Sequence, residues 1–290
     1  MAQSLKDIRR RVASVRNIRK ITQAMKMVAA SRLRRAQARA EAARPYAAAV
    51  RGVLVRLAAG ASGFQHPFLE ERPLRSTLAV VVTSDRGLAG AYNANLTRAA
   101  QQLLRNKTAP QVLAVGRKGR DFFRRRQVRL AGEFLQIGDE ARFSLASDLA
   151  REVTRLYVEG ACDEVYLVYA QFVNALQSRP VSVRLLPLAG GDLAAEEGTG
   201  AAPGGEYIFE PDAGEVLERL LPHYIGILLY RALLESKASE QGARMAAMDN
   251  ATKNAGEIID RLTLTANRLR QAAITKEIAE IVGGANALQG

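Results

Sequence analysis

Apolar residues recur every three or four positions over two long stretches, one near each end of the chain. The first set is Leu5, Ile8, Val12, Val15, Ile18, Ile21, Met25 and Val28. The second set is Met245, Met248, Thr252, Ala255, Ile259, Leu262, Ala266, Leu269 and Ala273. Such spacing places each set on one face of a helix, as in the seam of a coiled coil. The second set includes three alanines and a threonine, so we expect a partner helix to approach it closely.

The two terminal helices are predicted to be long and to pair antiparallel with each other. No proline interrupts residues 1–44, and Pro45 either begins a second segment or kinks the first. A helix of 40–50 residues would span roughly 60–75 Å, which favours a rod. The alternative is two ordinary amphipathic helices of a bundle.

Between these helices, short apolar runs alternate with helical patterns. The predicted strands cover residues 78–83, 111–115, 165–169 and 181–186, and the predicted helices 94–105, 117–126 and 144–159. This alternation is typical of a small open α/β sheet. Residues 189–205 are rich in Gly and Ala and predict a surface loop. Asp212 is expected to cap the final helix, whose glycines require compensating close packing.

The net charge of +13 is concentrated in the first helix. Residues 1–44 hold 13 of the 42 basic residues and two of the 29 acidic ones, a net of +11. This charge raises the alternative of a nucleic-acid-binding α/β protein. Against it, the basic residues surround the helix, and no aromatic residue precedes Tyr46. An acidic protein partner explains the same charges.

Candidate chemistry for an enzyme is weak. A GxxG pattern at Gly87–Gly90 follows the first strand, but it lacks the further signals of a nucleotide site, and a tight turn explains it better. His66 and His223 have no metal-ligand spacing. The single Cys162 excludes an intramolecular disulfide and fits a reducing compartment. We find neither a membrane-spanning run nor a secretory signal, and expect a cytosolic protein unless it docks elsewhere.

Five motifs together resemble the gamma subunit of F-type ATP synthase over the whole chain. KDIRRRVASVRNIRKITQAMKMVAASRLRRAQ (6–37) is similar to its first helix, and ASEQGARMAAMDNATKNA with RQAAITKEIAEIVGGANAL to its last. TSDRGLAGAYNANL and YIFEPD match the segments between them. The resemblance implies an α/β fold with a long antiparallel coiled coil of N- and C-terminal helices plus a Rossmann-like α/β domain. The corresponding boundaries are 1–58, 76–210 and 212–287.

The resemblance also implies a role and partners. One copy of this shaft would turn inside a ring of three alpha and three beta subunits. Its foot would touch the epsilon subunit and the membrane-embedded c-ring. It would transmit torque during proton-driven ATP synthesis or ATP hydrolysis, with no catalysis of its own, no cofactor, no metal, no nucleic acid and no direct membrane insertion. The expected location is the cytoplasmic face of a bacterial plasma membrane, as a peripheral protein.

Site residues follow from motif positions in the resemblance. It implies beta-subunit contacts at Met25, Lys26, Arg244, Arg270, Gln271 and Thr275. Tyr207 and Glu210 would contact epsilon and the c-ring. For each, coiled-coil packing or a solvated surface is the alternative, above all for Met25. No cysteine pair lies in 189–205, which argues against thiol regulation and a plastid origin.

Overall fold

The computed structural model describes residues 4–60, 66–175, 177–188 and 212–289. Its helices are α1 Leu5–Gly60, α2 Tyr92–Leu104, α3 Arg117–Arg125, α4 Phe143–Val158 and α5 Ala213–Gln289. Its strands are β1 Thr77–Val82, β2 Pro110–Val115, β3 Arg129–Phe134, β4 Glu164–Phe172 and β5 Ser178–Leu186. The predicted α/β class, with long helices at both ends, is confirmed.

The chain divides into two compact units. The helix pair comprises the described residues of Met1–Val28 and Met245–Gly290, and the α/β body those of Ala29–Arg244. Both divisions fall inside a helix, so α1 and α5 each contribute to both units.

The body is built on one five-stranded sheet of order β3-β2-β1-β4-β5. The β1 strand pairs parallel with β2 and β4, β2 pairs parallel with β3, and β5 is antiparallel to β4. The order reverses between β1 and β4, so crossover helices cover both faces of the sheet.

Alternate residues of β1 enter different cores, as the two-residue period of a strand requires. Val80 packs with α4 residues such as Leu149 and with Leu54 of α1. On the opposite face, Val81 packs with Leu96 and Phe123 of α2 and α3. Every β1 side chain is buried, which is why the sequence shows an unbroken apolar run there.

Helix α1 continues through Pro45, so this proline does not begin a second segment. A proline inside a helix costs about 3 kcal/mol, because it removes one hydrogen bond and crowds the preceding turn. Leu54 and Leu57, roughly 2.5 and 3.3 turns beyond it, are fully buried in the body's core. This packing offsets the cost.

Helix α5 begins as predicted at an Asp212 cap, whose Oδ1 accepts a hydrogen bond from the Glu215 amide at 2.9 Å. The expectation of close packing at its glycines holds at Gly242, where an added Cβ would lie 2.7 Å from the Ala175 carbonyl oxygen. It does not hold at Gly256, where a Cβ would meet nothing within 4 Å among the described residues.

Candidate functional site

The helix pair is joined by a narrow apolar seam. Ile8 and Val12 of α1 are buried against Ile259 of α5. Leu262 and Ala266 pack on this cluster and are partly buried. Two of the predicted seam positions nearer the body, Met248 and Ala255, are also buried, at 5 and 4 % exposure. The periodic positions therefore form the contact face only in part. Ile18, Ile21 and Val28 of the predicted α1 seam are 50, 59 and 50 % exposed, and the last two predicted α5 positions, Leu269 and Ala273, are exposed as well.

Polar pairs continue the seam beyond its apolar cluster. The hydroxyls of Thr22 and Thr252 are 2.8 Å apart, and Lys26 Nζ lies 2.6 Å from Asp249 Oδ1. Lys253 Nζ is 3.0 Å from the other oxygen of Asp249. Hydrogen bonds from Lys26 and then Lys253 lower the pKa of Asp249. Since partner numbers fall in α5 as they rise in α1, the two helices run antiparallel.

The end of α5 is exposed over a long stretch. Every residue from Asn267 to Gly283 is exposed, which at about 1.5 Å per residue is roughly 25 Å of helix. The stretch carries an apolar row of Ile274, Ile278, Ile281 and Val282, with exposures of 48, 56, 71 and 52 %. Sequence reasoning missed this row, although steps of four and three signal it.

In the body, α5 crosses the sheet where the strand order reverses. Open α/β sheets bind ligands in the crevice outside the carboxyl ends of their strands at this point. Here Ser236 Oγ accepts a hydrogen bond from the Ala170 amide at 3.3 Å, and Ser239 Oγ donates one to the Ala170 carbonyl at 3.2 Å. Tyr92 Oη donates to the Ser236 carbonyl at 3.2 Å. Helix α5 therefore covers the β4 side of the crevice, while an open pocket of about 240 Å³ remains beside it, lined by residues such as Asp85, Arg117 and Lys237.

A buried ionic network secures this crossing. Glu240 accepts hydrogen bonds from Lys237 at 3.2 Å and from Arg244 at 2.8 Å. Arg244 Nη2 also donates to the Gly87 carbonyl at 3.2 Å. All three charged residues are at least nine-tenths buried. The Gly87–Gly90 loop, whose GxxG pattern is also found at phosphate sites, is therefore bonded to the Arg244 guanidinium of α5.

The Asp85 carboxylate lies at the N-terminus of α3, where a bound anion would be favoured. Its Oδ1 accepts a hydrogen bond from the Arg117 amide, at the start of α3, at 3.0 Å, and its Oδ2 accepts one from the Ile137 amide at 2.8 Å. A helix N-terminus attracts anions, and a side-chain carboxylate already meets that requirement here. Gly116, at φ +94°, allows the close turn: a Cβ would lie 2.3 Å from the Thr83 carbonyl oxygen.

The histidines and the cysteine have structural contacts. His223 Nε2 lies 2.9 Å from the Tyr46 hydroxyl, and His66 Nδ1 accepts the Phe68 amide at 3.1 Å. Burial raises the pKa of Cys162 to about 12, so its thiol stays protonated and unreactive. Within the described ranges, we find no cluster of three His, Cys, Asp or Glu suited to a metal. Nor is any helix in those ranges long and apolar enough to cross a bilayer.

Comparison with known proteins decides the family. The ATP synthase family model matches residues 4–288. The ATP synthase gamma chain of Desulforamulus reducens is 52 % identical, over 99 % of both chains. That of Moorella thermoacetica is 51 % identical, over 98 % of this chain and 99 % of its own. The chain belongs to the ATP synthase gamma chain family.

Solved structures agree with this assignment. The central stalk and c-ring structure of the Tetrahymena thermophila mitochondrial ATP synthase contains a chain with 32 % identity and a TM-score of 0.62. The match covers 80 % of this chain and 99 % of that one. A chain of the Euglena gracilis mitochondrial ATP synthase rotor, 18 % identical with a TM-score of 0.67, shares the fold. The chain has the role of the central rotor shaft, and the nucleic-acid alternative receives no support.

The structure places the predicted gamma-chain contact residues in three settings. Arg270, Gln271 and Thr275 lie together on the exposed end of α5, where Thr275 Oγ1 donates to the Gln271 carbonyl at 3.0 Å. Met25 and Lys26 are half-buried in the helix pair.

Arg244 belongs to the body, where it is bonded to Glu240 and Gly87, and is 9 % exposed. Tyr207, Glu210 and the loop 189–205 lie outside the described residues.

Proposed function

We propose that the exposed end of α5 is the part of the shaft that acts on the catalytic beta subunits. One observation carries this proposal: every side chain from Asn267 to Gly283 is exposed, although the row at Ile274, Ile278 and Ile281 is apolar. An apolar surface of this kind favours a protein partner. Arg270 and Gln271 lie at the base of the row and supply polar contacts.

The shaft transmits torque because its contacts differ with angle. A rod that presents an apolar row on one side and polar groups on another interacts unequally with three identical neighbours. Such differential contacts shift the conformational equilibrium of each beta subunit in turn. We place Met25 and Lys26 among the beta contacts as well, Tyr207 and Glu210 at epsilon and the c-ring, and one chain per ring of three alpha and three beta subunits. We do not propose a beta contact for Arg244, because it is 9 % exposed and bonded to Glu240 and Gly87 within the body.

The chain itself is proposed to be non-catalytic. At the β1–β4 reversal, where open α/β sheets bind nucleotides, Ser236 and Ser239 of α5 are bonded to Ala170, and the Asp85 carboxylate already accepts the amide at the start of α3. It acts as a peripheral protein at the cytoplasmic face of a bacterial plasma membrane. Purified alone, it should hydrolyse no ATP, whereas the intact complex isolated from membranes should contain it together with alpha and beta subunits.

A truncation tests the proposal directly. Ending the chain after Arg268 removes the exposed row and the Arg270 and Gln271 contacts, but leaves the seam at Ile259 and Leu262. We expect the complex to assemble and to lose coupling between proton flow and ATP synthesis, measured in inverted membrane vesicles. Glu257→Ala, at an exposed position in the paired part of α5, should leave coupling unchanged. Full proton-driven synthesis by the truncated complex would refute the assigned contacts.

A further inference from the structure

The body contains a further cavity, lined by residues other than those of the crevice at the strand ends. Its volume is about 180 Å³, and it lies between α1, the start of α4 and the first part of α5. Three alanines of α1 share the face that lines it: Ala40, Ala43 and Ala47. Because larger apolar side chains at these spacings would fill the space, the small residues of α1 are what keep it open.

The lining is mostly apolar and partly aromatic. Ile227 and Leu234 of α5 form one side, while the rings of Phe143 and Tyr230 meet edge to face with centroids 5.5 Å apart. An apolar cavity of about 150 Å³ accepts a benzene-sized molecule. The space here therefore suits a single ring, and the neighbouring aromatic edges favour an aromatic one.

One polar group in the lining lacks a partner. Glu235 is 7 % exposed and its Oε1 accepts a hydrogen bond from Arg231 Nε at 3.0 Å. Its Oε2 is buried with no hydrogen-bond partner in the part of the chain that the structure describes. A buried carboxylate oxygen is costly to leave unpaired, so it favours an occupant that donates a hydrogen bond.

The charges nearby select the kind of donor. Arg44 and Arg231 also line the cavity. A cationic donor would be repelled by these two guanidinium groups, whereas a neutral hydroxyl would not. A guanidinium is also attracted to the face of an aromatic ring.

We propose that this cavity is a binding site for a small neutral aromatic alcohol, whose ring fills the apolar space and whose hydroxyl donates to Glu235 Oε2. All of the residues that line the site belong to the α/β body, and none of them is among the residues proposed to contact other subunits. An occupant would join α1, α4 and α5 within the body, and would raise its stability by binding only the folded chain.

The experiment compares phenol with toluene on the purified full chain. Toluene has the same shape and lacks the donor. We expect phenol to bind at least about tenfold more tightly, as one hydrogen bond to a buried charged oxygen predicts, by ligand-observed NMR titration. Equal affinities, or no phenol binding up to about 10 mM, would overturn the proposal, since a fragment of this size in a fitting site binds more tightly than that.

A pair of substitutions on α1 locates the site. Ala47→Leu places a larger side chain in the cavity at little cost to the helix, and should weaken phenol binding at least about tenfold. Ala49→Leu is the matched control, because Ala49 is exposed two positions away and absent from the lining. Circular dichroism checks that both variants fold. Unchanged phenol affinity in a folded Ala47→Leu chain would place any binding elsewhere and refute the assignment.

Discussion

The α/β body and the helix pair bury their residues in different ways, although α5 belongs to both. In the body, the stretch from Leu233 to Gly242 of α5 is buried all round, with its charges paired inside the protein. In the helix pair, only one narrow face of α5 is buried. Between Asn267 and Gly283 no side chain is buried. One continuous helix thus has a core segment, a paired segment and an exposed segment, and mutations should separate them.

The largest expected effect is on the buried charges of the body. Glu240→Ala leaves Lys237 and Arg244 without their shared carboxylate at positions at least nine-tenths buried. Breaking such a pair costs about 3–5 kcal/mol of unfolding free energy. Glu257→Ala, on the exposed face of the paired segment, should change it by less than about 0.5 kcal/mol. Urea unfolding of the full chain measures both free energies. Similar losses for the two variants would contradict the distinction between the core segment and the paired segment of α5.

Apolar truncations compare the two kinds of core. Leu149→Ala removes a fully buried side chain from the sheet's larger core, and should cost about 2–5 kcal/mol. Ile259→Ala acts in a three-residue cluster at 8 % exposure, where the neighbours can relax into the space, and should fall at the low end of that range. The same urea titrations test this order. A greater loss at Ile259 would show that the helix pair is packed as tightly as the body.

Two glycines of α5 should respond with opposite signs. Gly242→Ala forces a Cβ to 2.7 Å from the Ala175 carbonyl oxygen, so we expect a loss of about 1–3 kcal/mol. Gly256→Ala meets nothing within 4 Å in the described structure and gains helix propensity, so we expect a gain of about 0.5–1 kcal/mol. The melting temperatures of the two variants measure both changes. If both variants were stabilised, or both destabilised, the predicted difference in packing would be contradicted.

The smallest effect concerns pH and the helix pair. Lys26 and then Lys253 lower the pKa of Asp249 in the folded chain, so its ionised form is favoured by folding. Its contribution is therefore present at neutral pH and is lost as pH falls below the ordinary aspartate value of about 3.9, through the lowered pKa. We expect Asp249→Asn to reduce the melting temperature slightly at pH 7, and less as the pH falls. If the difference in melting temperature between the two chains did not change with pH, ionisation of Asp249 would not contribute to stability as predicted.

Sequence patterns predicted the elements that are buried in a regular way. The central strands were found within a few residues of their observed ends, because two-sided burial leaves an apolar run such as residues 78–82. Strand β3 was missed, since Arg129–Phe134 contains Gly132 and lies at the sheet edge with only partial burial. The observed helix at Pro45 shows the same limit, because packing far from the proline decides its outcome.

The site was predictable only where its residues lie on a periodic face. The seam at Ile259 and Leu262 follows from spacing alone. By contrast, no pattern in the sequence showed that Arg244 is buried in the body, because the Gly87 carbonyl to which it donates lies 157 positions away. Nor could spacing reveal that Lys26, expected to attract a beta subunit, is paired with Asp249. Long-range pairing of charges carries no local pattern.

The helix in the crevice can also be viewed as a ligand that is covalently attached to its own receptor. Segments joined by a chain meet at an effective concentration set by the connection, often millimolar or above, and need no free partner. A dilute solute that could bind Ala170 must therefore compete with Ser236 and Ser239 at a much higher effective concentration. Other open α/β sheets bind a separate ligand at this position, whereas here a segment of the same chain lies against β4.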